Sequence, residues 1–121
     1  MNGGDPVGEF RENWEQLAAQ ARDEKLFGGG YDRPRLVLIE ASRETGLRRL
    51  FPFTSMARLC FARSSTWPFQ DIQPATVEFS RDGRYIVRSG GPYPADRDPP
   101  IALETADAAT AVATVINLLG V

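Results

Sequence analysis

Side chains that commonly perform chemistry are scarce in this sequence. Histidine, the usual general acid–base group and the commonest metal ligand, is missing altogether. Its absence excludes Ser-His-Asp and Cys-His catalysis and most zinc and iron sites. Cys60 is the only cysteine. A reactive thiol needs a base or a positive field; the sequence offers Arg58 on the same strand face. Cysteine is also a small hydrophobe that is often buried, and that structural reading of Cys60 is preferred. A third chemistry would use Tyr85, Arg58 and Glu78 as acid–base groups of a histidine-independent enzyme, provided one pocket gathered them.

The strongest signal of another kind is charge. Arg43, Arg48, Arg49, Arg58 and Arg63 face Glu44 alone in their segment, whereas the N-terminal region carries Glu9, Glu12, Glu15, Asp23 and Glu24. The net charge of −2 hides this asymmetry. The planar fork of arginine suits carboxylate or phosphate groups on a ligand or partner, and a solvated, internally paired face is the competing reading. Arg58 and Arg63 differ by an odd offset and fall on opposite faces of a regular strand. Either Arg84 or Glu78 can join Arg58 from a neighbouring strand. Trp67-Pro68-Phe69 is an aromatic loop cluster suited either to partner contact or to closing the core edge. The residues assigned to ligand or partner binding are Arg58, Arg63, Trp67, Tyr85, Thr54 and Ser55. No catalytic residue, metal ligand or cofactor is assigned. Gly28-Gly29-Gly30 follows a helix where a phosphate cradle would precede one, so it reads as a cap and linker.

These residues must be positioned by a single domain. The length is ordinary for one domain, and 42% hydrophobic with 25% charged residues is ordinary for a globular chain. Residues 1–8 read as a disordered leader and 9–121 as the domain. Phe10, Trp14, Leu17, Ala18 and Ala21 at helical spacing predict a helix from about Glu9 to Leu26. The apolar run Leu36–Ile39 after Pro34 predicts an interior strand. Met56–Arg63 alternates, with Ala57, Leu59 and Phe61 on one face and Arg58 and Cys60 on the other. Asp82-Gly83 between Thr76–Ser80 and Arg84–Arg88 predicts a hairpin. Residues 89–100 hold four prolines and two glycines and read as a loop. A final helix is expected from about Ala106 to Leu119, capped by Thr105. The fold class that follows is α+β: an N-terminal helix, a four- or five-stranded mainly antiparallel sheet and a C-terminal helix, with the helices on one sheet face.

Neither a signal sequence nor a long apolar span is evident, and one cysteine allows no intrachain disulfide, so the cytoplasm is expected. The charge gives no reason to expect nucleic acid or membrane as a partner. Of 14 basic residues only Lys25 is a lysine, as in GC-rich bacterial genomes.

Leu50-Phe51-Pro52-Phe53-Thr54-Ser55, Leu59-Cys60-Phe61-Ala62-Arg63, Trp67-Pro68-Phe69 and Asp82-Gly83-Arg84-Tyr85, with the alanine-rich last helix, resemble a bacterial domain-of-unknown-function family. Members of that family are labelled natural product biosynthesis proteins. The resemblance covers about residues 45–120 and implies a biosynthetic context rather than a reaction. Members often carry a histidine after Thr-Ser and a Cys-Thr-Gly run after the arginine. Met56 and Ser64-Ser65-Thr66 stand there in this chain. The expected function is a non-catalytic accessory or binding protein that contacts a partner protein or an acidic small molecule, with room for a homodimer. The alternatives are an immunity protein or secretion chaperone binding a toxin or effector, and the small enzyme above.

Overall fold

The computed structural model describes residues 6–23, 32–55, 57–63, 72–90 and 99–121. Helix α1 spans Pro6–Asp23 and is followed by α2 at Asp32–Arg43 and a 3-10 turn at Gly46–Arg49. Strands β1 (Phe51–Ser55), β2 (Arg58–Ala62), β3 (Thr76–Phe79), β4 (Tyr85–Arg88) and β5 (Ile101–Thr105) then lead to α3 at Ala108–Leu119. The five strands form one antiparallel sheet in chain order. Among the described residues, three helices against a five-stranded sheet make the expected α+β fold.

Alternation along each strand divides the sheet into two unlike faces. Leu59, Phe61, Val77, Phe79, Tyr85 and Val87 join the main core with Trp14, Leu17 and Ala18 of α1, Leu38 and Ile39 of α2, and Ala111, Val112 and Val115 of α3. The other face holds a smaller cluster of Phe53, Cys60 and Ala62, with Ile72 packed against it. Pro52 is tolerated because β1 is an edge strand. Gly83 closes the β3–β4 hairpin at φ +82, a conformation costly for any side-chain-bearing residue. Ser80 N–H donates to the Arg84 carbonyl at 3.1 Å across that turn.

Three expectations at the ends and middle of the chain are corrected. Leu36–Ile39 lies inside α2 and is not a strand. Pro34, Arg35, Leu38, Ile39 and Ser42 are buried while Val37 is exposed, so the segment has helical period. Arginine at position 35 breaks the apolar stripe that would have revealed it. Pro34 is the third helical residue, where its missing N–H has no intrahelical partner to lose. Arg35, fully buried, donates through Nη2 to the Gln20 carbonyl at 3.2 Å and so satisfies the C-terminal part of α1. The second correction concerns α3, whose cap is Asp107 rather than Thr105. The Asp107 carboxylate accepts from Thr110 N–H at 3.2 Å, and Thr105 Oγ1 accepts from Asp107 N–H at 3.1 Å. In the third, α1 begins at Pro6 rather than at about Glu9, with proline where a helix start favours it. Residues 1–5 and 24–31, including the triple glycine, lie outside the described residues.

Candidate functional site

Two groups of arginines come out of the basic central segment, and the backbone decides which residue joins which. After α2 ends at Arg43, Thr45 caps the 3-10 turn. Its hydroxyl donates to the Ser42 carbonyl at 2.6 Å and accepts from Leu47 N–H at 3.2 Å. A 3-10 turn repeats every three residues, so Leu47 and Leu50 both point into the core. Arg48 and Arg49, between them, are left exposed.

The exposed side of this turn faces the first half of α1 across a cavity of about 700 Å³. Its walls are Phe10, Arg11, Trp14 and Glu15 from α1, Arg43 and Glu44 from the end of α2, and Arg48 and Arg49 from the turn. The aromatic wall is fixed from behind. Trp14 Nε1–H donates to the Leu50 carbonyl at 3.0 Å, and the Phe10 ring lies 4.4 Å from that of Phe51, tilted by 43°. Arg43 reaches Glu44 at 3.9 Å, with the Glu44 side chain 79% exposed. Arg11, Arg48 and Arg49 form no ion pair among the described residues. Four arginines against two glutamates leave a positive cavity over an aromatic wall.

The second group sits on the sheet face turned away from the helices. Arg58 and Arg88 both donate through Nε to Glu78 Oε1, at 3.3 and 3.2 Å. Arg88 also donates through Nη1 to the Pro99 carbonyl at 2.8 Å. Both arginine side chains are largely buried, at 16% and 13% exposure. Glu78 is the one that joins Arg58. Arg84 instead pairs with Glu104 at 3.4 Å. Cys60 lies on the same face with no exposed surface, and burial pushes its thiol up to about 12 against a weaker opposing field from Arg58. That position describes a small buried hydrophobe rather than a nucleophile.

The residues assigned from sequence are only partly brought together. Ser55 is directly opposite Arg58 and shares its face, whereas Thr54 is opposite Leu59 and belongs to the helix side. Arg63 is exposed one residue beyond β2. Tyr85 is buried on the helix side, where its hydroxyl donates to the Pro34 carbonyl at 3.0 Å. Burial, and then the nearby negative charge of Asp107, raise its pKa. The sheet therefore separates Tyr85 from Arg58 and Glu78, and no acid–base trio forms from them. Trp67 and Met56 lie outside the described residues. Sequence reasoning named the basic segment but missed that Phe10 and Trp14, one helical turn apart on α1, are the surface its first three arginines meet.

No group of three potential metal ligands occurs among the described residues. None of the helices there is long and apolar enough to cross a membrane. No curated protein and no solved structure matches the chain. Residues 10–120, from the first aromatic of the cavity wall to Gly120 just after α3, match the family of unknown function DUF6193, and the chain belongs to that family.

Proposed function

We propose that this protein is a non-catalytic binding or accessory protein that captures an acidic small molecule or the acidic group of a partner protein. The observation that carries this reading is the convergence of Arg11, Arg43, Arg48 and Arg49 on one cavity, three of them without an ion pair among the described residues. Ligand sites are concave, of roughly 300–1,000 Å³, with apolar walls and a few convergent polar groups. The cavity's volume of about 700 Å³, its aromatic wall and its arginine rim fit that description. Natural product biosynthesis is the context proposed for it, on the sequence resemblance alone. A neighbouring synthase or tailoring-enzyme gene would support that context, and a neighbouring toxin gene would replace it with an immunity role.

The binding claim is tested by calorimetric titration with citrate and with poly-glutamate, on the wild type and on Arg48→Ala/Arg49→Ala. The wild type is expected to bind at least one, more weakly as salt rises. The double variant should lose about tenfold or more in affinity. Equal binding by both proteins overturns the reading, as does failure of both probes together with the single-acid probes described below.

A further inference from the structure

The cavity combines two features that different ligands would want separately. A simple anion needs arginines but has no use for a wall made by Phe10 and Trp14 or for a volume of about 700 Å³. A purely apolar molecule would use the wall but would strip water from four guanidinium groups with nothing in return. The rim also limits how much negative charge fits. Glu15 and Glu44 stand among the four arginines, so a chain of acidic groups meets repulsion while a single acid head does not.

The geometry points to an amphipathic acid as the ligand: a planar apolar body bearing one carboxylate or phosphate. This rests on the binding reading above and narrows it to a small molecule. The body lies against the half-buried Phe10 ring, with the largely buried Trp14 beside it, and the acid head meets Arg48 and Arg49, which are exposed on the 3-10 turn. The wall is already formed. The indole is held by its bond to the Leu50 carbonyl and Phe10 is backed by Phe51, so little ordering opposes binding. Guanidinium groups also stack on planar rings, so Arg11 and Arg43 can cover the body from the sides.

Calorimetric titration of the full chain with naphthoate, naphthyl phosphate, neutral naphthalenemethanol and inorganic phosphate tests this. Both aromatic acids are expected to bind, with the neutral alcohol and inorganic phosphate each weaker by about tenfold or more. Arg48→Ala/Arg49→Ala should weaken both aromatic acids by about tenfold and leave the neutral alcohol unchanged. Arg48→Lys/Arg49→Lys, which keeps charge and fold but loses the planar fork, should fall between. Equal binding of the alcohol removes the acid head from the inference, equal binding of inorganic phosphate removes the apolar body, and failure of both aromatic acids overturns it entirely. If the aromatic acids fail while citrate or poly-glutamate binds in an Arg48- and Arg49-dependent way, only this narrower claim falls. If all probes fail, the broader reading falls with it.

Discussion

The arginines of the sheet face and the arginines of the cavity are the same side chain put to opposite uses. Arg58 and Arg88 are largely buried and share one carboxylate oxygen of Glu78. Arg48 and Arg49 are exposed on a turn held in place by Leu47 and Leu50. In the first place the fold supplies the counter-charge and the arginines stabilise the sheet. In the second the fold supplies position and leaves the counter-charge to come from outside. The sheet face buries Cys60 completely and its two arginines largely, whereas Arg48 and Arg49 at the cavity are exposed. Experiments that perturb one region and leave the other unchanged test that division.

The largest effect is expected from the sheet face that buries Cys60, at high pH. Burial holds Cys60 at about 12 in the folded chain against an ordinary value of 9.0, so the unfolded chain releases that proton first. The resulting stability is complete below pH 9 and is lost as pH rises toward 12, up to roughly 4 kcal/mol at the limit. Tyr85, also raised by burial, acts in the same direction. Urea unfolding across this range should show a steep alkaline decline, shallower in Cys60→Ala but not flat. Iodoacetamide should label Cys60 only after denaturation. Rapid labelling of the folded chain would mean the face is wet and the contrast unsound.

Glu78→Ala comes next. It strips the shared acceptor from two largely buried guanidinium groups, and a cost of about 2 kcal/mol in urea unfolding is expected, below the range for fully buried pairs because Glu78 is 29% exposed. Binding of citrate at the cavity should not change. A stability change within about 0.5 kcal/mol would show that Arg58 and Arg88 do not depend on it.

The sequence made some of this contrast visible and hid the rest. The Asp82-Gly83 hairpin and the alternation of Arg58 and Cys60 against Leu59 and Phe61 were legible because turn chemistry and strand period are local properties. The same rule places Tyr85 and Val87 inward and Ile86 and Arg88 outward, so the burial of Tyr85 was available from its neighbours. The helix at Leu36–Ile39 was not, because a buried arginine occupies its apolar stripe. The cavity was legible only in halves. An Arg-Arg pair and two aromatics one turn apart can be read locally, but their meeting depends on α1 lying across residues 36 positions further along the chain.

Tyr85→Phe sharpens the comparison from the core side. The change removes the hydroxyl that bonds the Pro34 carbonyl and should cost about 1 kcal/mol in urea unfolding. It should leave probe binding intact, since the sheet holds Tyr85 in the core and it does not line the cavity. A loss of binding without a loss of stability would place Tyr85 in the site after all.

The smallest stability effect belongs to the pair expected to matter most for binding. Arg48 and Arg49 are exposed and form no ion pair among the described residues, so removing both leaves no buried group unsatisfied. Arg48→Ala/Arg49→Ala should change the unfolding free energy by less than about 0.5 kcal/mol. The sign is expected to be stabilising at low salt, because four arginines around one cavity repel one another, and the gain should vanish as salt screens them. That pattern is the signature of charge held ready for a ligand. A loss of stability comparable to that of Glu78→Ala would make these arginines part of the scaffold, and the distinction between the two regions would disappear.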